Sequence, residues 1–475
     1  MKTYRFSREI PVEDEFDVVV AGGGPGGSAA AICAARLGAK VLLVEGTGTM
    51  GGMGTSGLVT AFDPMANGVE GLVGGFMREV VETMYGRGFL GPQVTPDYWL
   101  KDYHRWTPFK VEGLKIVLDE LAVQAGVEVR FFTHLIDVDA DARLGKVNGV
   151  IINNIEGHRY VPAKRFIDAT GDAVLAHLAG VPCREAGRDT NTIMPGTLCS
   201  LFAGIDWETV NKEAARLKQQ GQGDDELTTP RVHDEPLKRA LADGHFTQHD
   251  RFLPGMFQVG RTMGNLNGGH LFNLNALRGR SLTDNIMLGR RIAQEYMEFY
   301  RKYVPGFENI EHATTSSLMG VRESRRIVGE YELNFADFMA RREFPDQIGV
   351  FNKAVDIHPY DATAEEYERF VKEFRKEAKP LPGERFGLPY GILVPKGWSN
   401  LWVAGRCNSS DVKVHGSIRV MPAAALMGQA AGTAAVQSIR TGQPACDLDT
   451  ETLVETLRAN KAYLPQKTVT KSMTR

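Results

Sequence analysis

The apolar pattern begins with a short run, Asp17 to Ala21, in which Val18, Val19 and Val20 are consecutive rather than alternating. The run predicts a strand. A glycine turn follows, then a small-residue helix from about Pro25 to Leu37. Gly38 stops it, and a second strand, Lys40 to Val44, ends at Glu45. Val111, Leu114, Val117, Leu118 and Leu121 recur at helical spacing within Lys110 to Gln124, and Gly126 ends that helix. Val127 to Phe132 and Gly149 to Asn153 alternate as strands do, and Arg165 to Asp172 reads as a buried strand running into a Gly-Asp turn. Between about residues 201 and 384 charge rises and helical patterns dominate, with Ser281 to Tyr303 a helix ended by Pro305. Strand character returns at Asn400 to Ala404, and Pro422 to Ser438 reads as a long helix of small residues.

The first turn carries chemistry. Gly22, Gly24 and Gly27 stand at G-x-G-x-x-G spacing, with Pro25 and Gly26 between the last two. Gly22 permits the tight turn, Gly24 lets a pyrophosphate approach the backbone, and Gly27 lets the helix pack closely on the strand. The helix N-terminus offers free N–H groups and positive dipole to phosphates. Glu45 can accept both hydroxyls of an adenosine ribose and would repel a 2′-phosphate, so FAD or NAD fits and NADP does not. A plain glycine-rich turn would leave Glu45 unexplained. A second glycine cluster, Gly46 to Gly57, is too dense for a helix or central strand and predicts a loop held against a ligand.

The fold class expected is α/β, a discontinuous Rossmann-type domain with a second α+β domain. The ranges are 14–200 for the first part of the nucleotide domain, 201–384 for a substrate or cap domain, and 385–475 for the C-terminal return. A chain of 475 residues suits two or three domains. A net charge of −3 argues against nucleic acid as a partner. No window approaches the roughly 18 apolar residues of a membrane span, and the first residues show no signal peptide. Five cysteines, Cys33, Cys183, Cys199, Cys407 and Cys446, are scattered without a C-x-x-C pair or metal-ligand spacing. That usage suggests reduced thiols, a cytoplasmic location and no metal. A small-molecule substrate is expected, and a homo-oligomer is compatible with everything read so far.

Taken with Ala169-Thr170-Gly171-Asp172, Val403-Ala404-Gly405-Arg406, Gly320 to Arg325, His415 to Pro422 and Gly428 to Gly432, the fingerprint resembles the FAD-dependent oxidoreductase family. More broadly it is similar to the glutathione-reductase-like flavoproteins, including the flavin fold of fumarate reductases. The resemblance spans nearly the whole chain and implies FAD as cofactor without naming a reaction. By position it implies that Gly22, Gly24, Pro25, Gly26, Gly27 and Glu45 hold the ADP half. Gly51, Gly52 and nearby backbone would lie along the pyrophosphate and flavin. His134 and Leu135 would touch adenine, and Ala169, Thr170, Gly171 and Asp172 would pass near the adenosine. Gly405, Arg406 and, less directly, Asp411 would approach the flavin side. The helix starting near Met421 would point its positive end at the flavin pyrimidine edge.

Four residues are candidates for catalysis. His415 would take a substrate proton as a neutral base; flavin binding or helix capping is the alternative. Arg419 and Arg322 would hold a substrate anion; ion pairing is the alternative for each. Arg322, Glu323, Arg325 and Arg326 also read as a solvated helix face with structural ion pairs at Glu323 and Arg325. His270 lies in the polar stretch Gly264 to Ala276 with Asn265, Asn267 and Asn273. These residues could line a site or simply make turns. Tyr103 and Trp106 could stack on a ligand or fill the core.

No second G-x-G-x-x-G with strand and helix flanks occurs. The leading expectation is therefore an oxidoreductase that oxidises a small polar molecule by hydride transfer to flavin N5. Electrons would then pass to oxygen, a quinone or a partner protein. The rivals are a redox-neutral flavoenzyme, a flavin-carrying electron-transfer subunit, and a reductase fed by NAD(P)H.

Overall fold

The structure is a computed structural model that describes residues 2–101, 106–220 and 231–465. Tyr103 lies outside the described residues. The first strand, β1 (Phe16–Ala21), has Val18, Val19 and Val20 fully buried. The helix α1 (Pro25–Arg36) returns the chain to β2 (Val41–Val44), which lies parallel to β1 with Val18 opposite Val41. Gly22 adopts φ +92, and a Cβ there would come within 2.7 Å of the Ala169 carbonyl oxygen. A Cβ on Gly27 would lie 1.8 Å from the Gly22 carbonyl oxygen, so the turn excludes any side chain at that position.

Helices α2 (Gly75–Gly86) and α3 (Val111–Ala125) pack beside α1 and bury Val80, Met84, Leu114 and Val117. Strand β3 (Glu128–Arg130) then pairs parallel to β2. Three longer strands follow as an antiparallel meander: β4 (His134–Asp141), β5 (Lys146–Asn154) and β6 (Gly157–Asp168). The second half of β6 leaves the meander and runs parallel to β1, with Ile167 opposite Val20. One strand thus joins two kinds of pairing in a seven-stranded sheet, six strands of which run in the order β3-β2-β1-β6-β5-β4 while the seventh, from the far end of the chain, pairs with β6 off that path.

The middle of the chain combines the helices its sequence pattern suggested with an antiparallel sheet. Strand β7 (Ser200–Ala203) is followed by helices α4 (Trp207–Gln219) and α5 (Asp234–Ala242). Strands β8 (Met256–Gln258) and β9 (Gly264–Leu266), helix α6 (Gly279–Tyr303) and strand β10 (Glu311–Thr315) complete the unit. The antiparallel order is β8-β9-β7-β10. Ile292, Tyr296 and Phe299 give α6 one apolar stripe, and it closes on Phe202, Trp207 and Phe307 in a core of its own. The Arg322–Arg326 cluster is not a helix face. Arg325–Ile327 is a short strand paired antiparallel with Cys183–Glu185, and buried Arg326 pairs with Asp189.

The far end returns to the first sheet. Strand β11 (Leu401–Val403) adds parallel to β6, with Trp402 opposite Ile167. A short helix, α7 (Val412–Ile418), leads to α8 (Met421–Thr441), in which every residue from Met421 to Ser438 is buried. The helix packs on α1 at backbone contact. A Cβ on Gly428 would lie 2.0 Å from the Gly26 carbonyl oxygen, and one on Gly432 would lie 2.3 Å from that of Ala30. The small residues of both helices are what allow this approach. Among the described residues no helix is long and apolar enough to cross a membrane.

Candidate active site

A cavity of about 1740 Å³ runs from the β1–α1 turn to the charged cluster near Arg322. Ligand pockets commonly measure roughly 300–1,000 Å³, so this one has room for an extended cofactor and a second molecule. At one end Gly22, Gly24, Pro25, Gly26 and Glu45 line it, joined by Gly52, His134, Leu135 and Ala169 to Asp172. Glu45 Oε2 accepts the Gly23 N–H at 2.7 Å, and Oε1 accepts the Thr47 N–H at 2.7 Å. Each oxygen keeps a second lone pair for a ligand hydroxyl. Gly27 and Gly51 stand behind the wall and not on it. Gly27 serves packing, while the Gly51 N–H donates to the Gly23 carbonyl at 2.8 Å and ties the second glycine loop to the first.

The turn after β6 is organised by buried Asp168. It accepts the Thr170 N–H at 3.0 Å, the Thr170 hydroxyl at 2.7 Å and the Ala176 N–H at 2.9 Å. Asp172 pairs with Arg406 at 2.6 Å, and the Ser324 hydroxyl donates to the same carboxylate at 2.6 Å. Gly405, Arg406 and Met421 continue the cavity wall, with Val420 and Ala424 beside Met421 at the start of α8. Asp411 does not belong to that wall. Its Oδ1 accepts the Val414 N–H at 2.8 Å and its Oδ2 the Phe335 N–H at 2.6 Å, so it caps α7.

The residues present suit FAD. The glycines leave a cradle that a Cβ would fill, an acid stands at the ribose position, and the helix α8 N-terminus opens further along the same cavity.

The far end holds paired cations. Arg322, 7% exposed, donates from Nη1 to the Pro195 carbonyl at 2.6 Å. Arg419 donates from Nη2 to the Asp356 carbonyl at 3.0 Å and to Asp356 Oδ2 at 3.2 Å. Burial, and then the neighbouring Arg419 charge, push the Arg322 guanidinium down to about 10. Burial also lowers Arg419. Asp356 stays well below the usual carboxylate range: burial opposes this, but the positive side chains around it, Lys353 and Arg419 among them, outweigh burial. Lys353 reaches across to Asp63, and both line the cavity. Trp106 stacks on Phe257 with ring centroids 4.6 Å apart and also lines it.

Two expected catalytic histidines are placed differently. His415 is fully buried and absent from the cavity lining. Its Nε2 lies 3.1 Å from the Arg322 carbonyl oxygen, which makes Nε2 the protonated nitrogen. Burial, and the charges of Arg326 and Arg419, hold it well below the usual histidine range. His415 therefore braces the Arg322 backbone and cannot meet a substrate directly. His270 is buried behind the wall, with Nε2 2.7 Å from Nδ1 of His358, which does line the cavity. Of the five polar residues between Gly264 and Ala276, only Asn267 lines the cavity; Asn265 is buried and donates to the Leu58 carbonyl at 2.8 Å.

Sequence reasoning missed Lys353, Asp356 and His358. They share one stretch, residues 353–358, that has no regular secondary structure, so no periodic pattern marked it in the sequence.

A family profile described as FAD dependent oxidoreductase matches residues 17–457. The dihydrolipoyl dehydrogenase of Trypanosoma brucei brucei is 55% identical over 47 residues, which is 10% of each protein, so the match covers about a tenth of that enzyme's length. A geranylgeranyl bacteriochlorophyll reductase-like protein from Thermoplasma acidophilum is 14% identical, with 96% of this chain and 94% of that one covered and a TM-score of 0.45. The p-nitrophenol 4-monooxygenase of Pseudomonas putida DLL-E4 is 11% identical, with 94% and 89% covered and a TM-score of 0.44. Likeness at that level leaves the chemistry to be argued from this chain's own residues.

Proposed function

The chain belongs to the family of FAD-dependent oxidoreductases, and from that premise we propose that it oxidises a small polar molecule bearing an anionic group. The observation that carries this is one continuous cavity joining the Glu45 turn to the buried Arg322–Arg419 pair. When bound, the flavin supplies a two-electron acceptor at N5. The rest falls to the protein. Arg322 and Arg419 both lie near one carboxylate, Asp356, and the Arg419 charge weakens that of Arg322. A substrate carboxylate would complete that balance and be oriented by it.

The cavity weighs against an electron-transfer subunit without a small-molecule site. We also propose that electrons pass on to oxygen, a quinone or a partner protein, and that the substrate itself reduces the flavin, since the chain has no second nucleotide fingerprint. A cytoplasmic location is proposed from the five unpaired thiols. Membership of the broader glutathione-reductase-like group is proposed on the motifs alone.

The test is anaerobic bleaching of the bound flavin across a panel of alcohols, amines and their carboxylate-bearing counterparts. Carboxylate-bearing compounds are expected to bleach it, and their neutral counterparts to fail. Bleaching by neutral compounds alone would overturn the anionic assignment. Rapid bleaching by NADH or NADPH would replace it with a reductase. Anaerobic turnover without any acceptor would establish a redox-neutral enzyme.

A further inference from the structure

Two imidazoles lie end to end between two carboxylates. Asp250 Oδ2 is 3.0 Å from His270 Nδ1 and accepts the His270 backbone N–H at 3.0 Å. His270 Nε2 is 2.7 Å from His358 Nδ1, and His358 Nε2 is 3.4 Å from Asp356 Oδ1. Asp250, His270 and His358 are buried, whereas His358 and Asp356 reach the cavity. Phe252 stacks on His270 with centroids 5.3 Å apart and meets His358 edge-on at 5.1 Å. The row is thus clamped in apolar surroundings.

Counting protons makes the row informative. It contains three contacts: carboxylate to ring, ring to ring, and ring to carboxylate. Each is attractive only if one proton lies in it, so a complete row needs three. Two neutral imidazoles carry two. With two protons, the favourable arrangement puts one on His270 Nδ1 facing Asp250 and one on His358 Nδ1 facing His270. His358 Nε2 is then a bare lone pair beside the Asp356 carboxylate, poised to accept.

The surrounding charges decide where a third proton rests. Asp250 and Tyr296 face the His270 end. Asp356, Arg322, Arg419 and Lys353 face the His358 end. Burial and Arg322 disfavour a charged His358. His270 is the ring that lies 3.0 Å from the Asp250 carboxylate, so the third proton is placed there.

We propose that Asp250, His270, His358 and Asp356 form one proton-accepting chain, with His358 the catalytic contact at the cavity and His270 the resting place of the proton. For an alcohol or amine, the O–H or N–H bond of the substrate breaks and an N–H bond forms at His358 Nε2. The His358 Nδ1 proton passes to His270 Nε2. The electron pair left on oxygen or nitrogen becomes the new double bond to carbon as that carbon's hydride leaves for the family's oxidised cofactor. Asp250 and Asp356 act as positioning residues through the rings. The direction of proton flow rests on the oxidation proposed above; the proton count does not.

The test is NMR of the holoprotein labelled with ¹⁵N-histidine, followed between about pH 5 and 9, with His358→Gln and His270→Gln as variants. The wild type is expected to show two neutral rings at the upper end of that range and, once the row takes up its third proton, one doubly protonated and one neutral ring, the two changing together. His358→Gln should abolish that coupling and shift the His270 ring resonances. Two rings that titrate independently, unchanged in the single variants, would overturn the chain even if an anionic substrate bleaches the flavin. Coupled rings in a protein that no anionic compound reduces would retain the chain and dispose of the substrate reading. Where a substrate is found, His358→Gln should slow flavin reduction by about 10²- to 10⁴-fold with the yellow colour retained, and His270→Gln should displace the pH profile. Reduction by His358→Gln at the wild-type rate would remove His358 as the contact.

Discussion

Gly23 donates its N–H to Glu45 Oε2 at 2.7 Å, so the acid at the end of the second strand is fastened to the turn that precedes the first helix. The other oxygen takes the Thr47 N–H at the same distance. Turn geometry, and the ribose recognition proposed for Glu45, therefore depend on one carboxylate.

Glu45→Gln tests that dependence. The amide nitrogen must face one of two backbone N–H groups, setting donor against donor. An unmade hydrogen bond of this kind costs about 1–3 kcal/mol, or about 5- to 150-fold in FAD retention. Glu45→Lys should give colourless protein. Fluorescence titration of FAD measures both, and wild-type retention in either would contradict the ribose assignment.

Gly428→Ala should separate α8 from α1. Its Cβ would sit 2.0 Å from the Gly26 carbonyl oxygen, and backbone cannot yield as a side chain tip can. The expected loss is about 1–3 kcal/mol, as for overpacked cores, with weaker FAD binding because α1 carries the nucleotide turn. Thermal unfolding of apo and loaded protein would show both effects; an unshifted midpoint would mean that the helices adjust freely.

Arg419→Gln should leave the flavin spectrum and FAD retention unchanged while raising half-saturation for an anionic ligand by about 10- to 100-fold, the worth of a charge-assisted hydrogen bond. Spectral titration with small carboxylates reads this directly. Equal affinity in the variant would take Arg419 out of the anion site.

His415 gives a pH dependence with a defined sign. Its folded pKa lies well below that of the unfolded chain, first because of burial. Below about pH 6.5 the unfolded chain binds a proton that the folded one refuses, so stability falls as pH falls. The slope is about 1.4 kcal/mol per pH unit, and above that pH the term is constant. His415→Gln can still donate to the Arg322 carbonyl but cannot titrate. Denaturant melts at pH values on either side of about 6.5 should show a flatter fall for the variant; equal slopes would show that His415 is not refused its proton.

The sequence made the nucleotide end legible because its signals are local. Gly22, Gly27 and Glu45 act within one βαβ unit, and their spacing reports their geometry. The same holds for α1, α3, α6 and α8, whose boundaries fell within a few residues of the pattern. The substrate end was only half visible. Arg322 and Arg419 do reach the cavity, but His415, four residues before Arg419, is sealed in the core. A seven-residue helix carries too little periodicity to show which side faces the ligand. His358 and Asp250 were invisible as a unit, since more than a hundred positions separate them and only tertiary packing brings them together. Asp411 misled because an acid near a glycine motif resembles a ligand contact, whereas the helix it caps is evident only once the backbone is placed.

The glycine contact between α8 and α1 also constrains biosynthesis. A ribosome extending this polypeptide makes Gly26 roughly 400 residues before Gly428, an interval of roughly 20 to 80 seconds at ordinary translation speeds. Throughout that interval the small-residue flank of the first helix has no companion. The first helix can therefore gain its final neighbour only after nearly all of the polypeptide has been made.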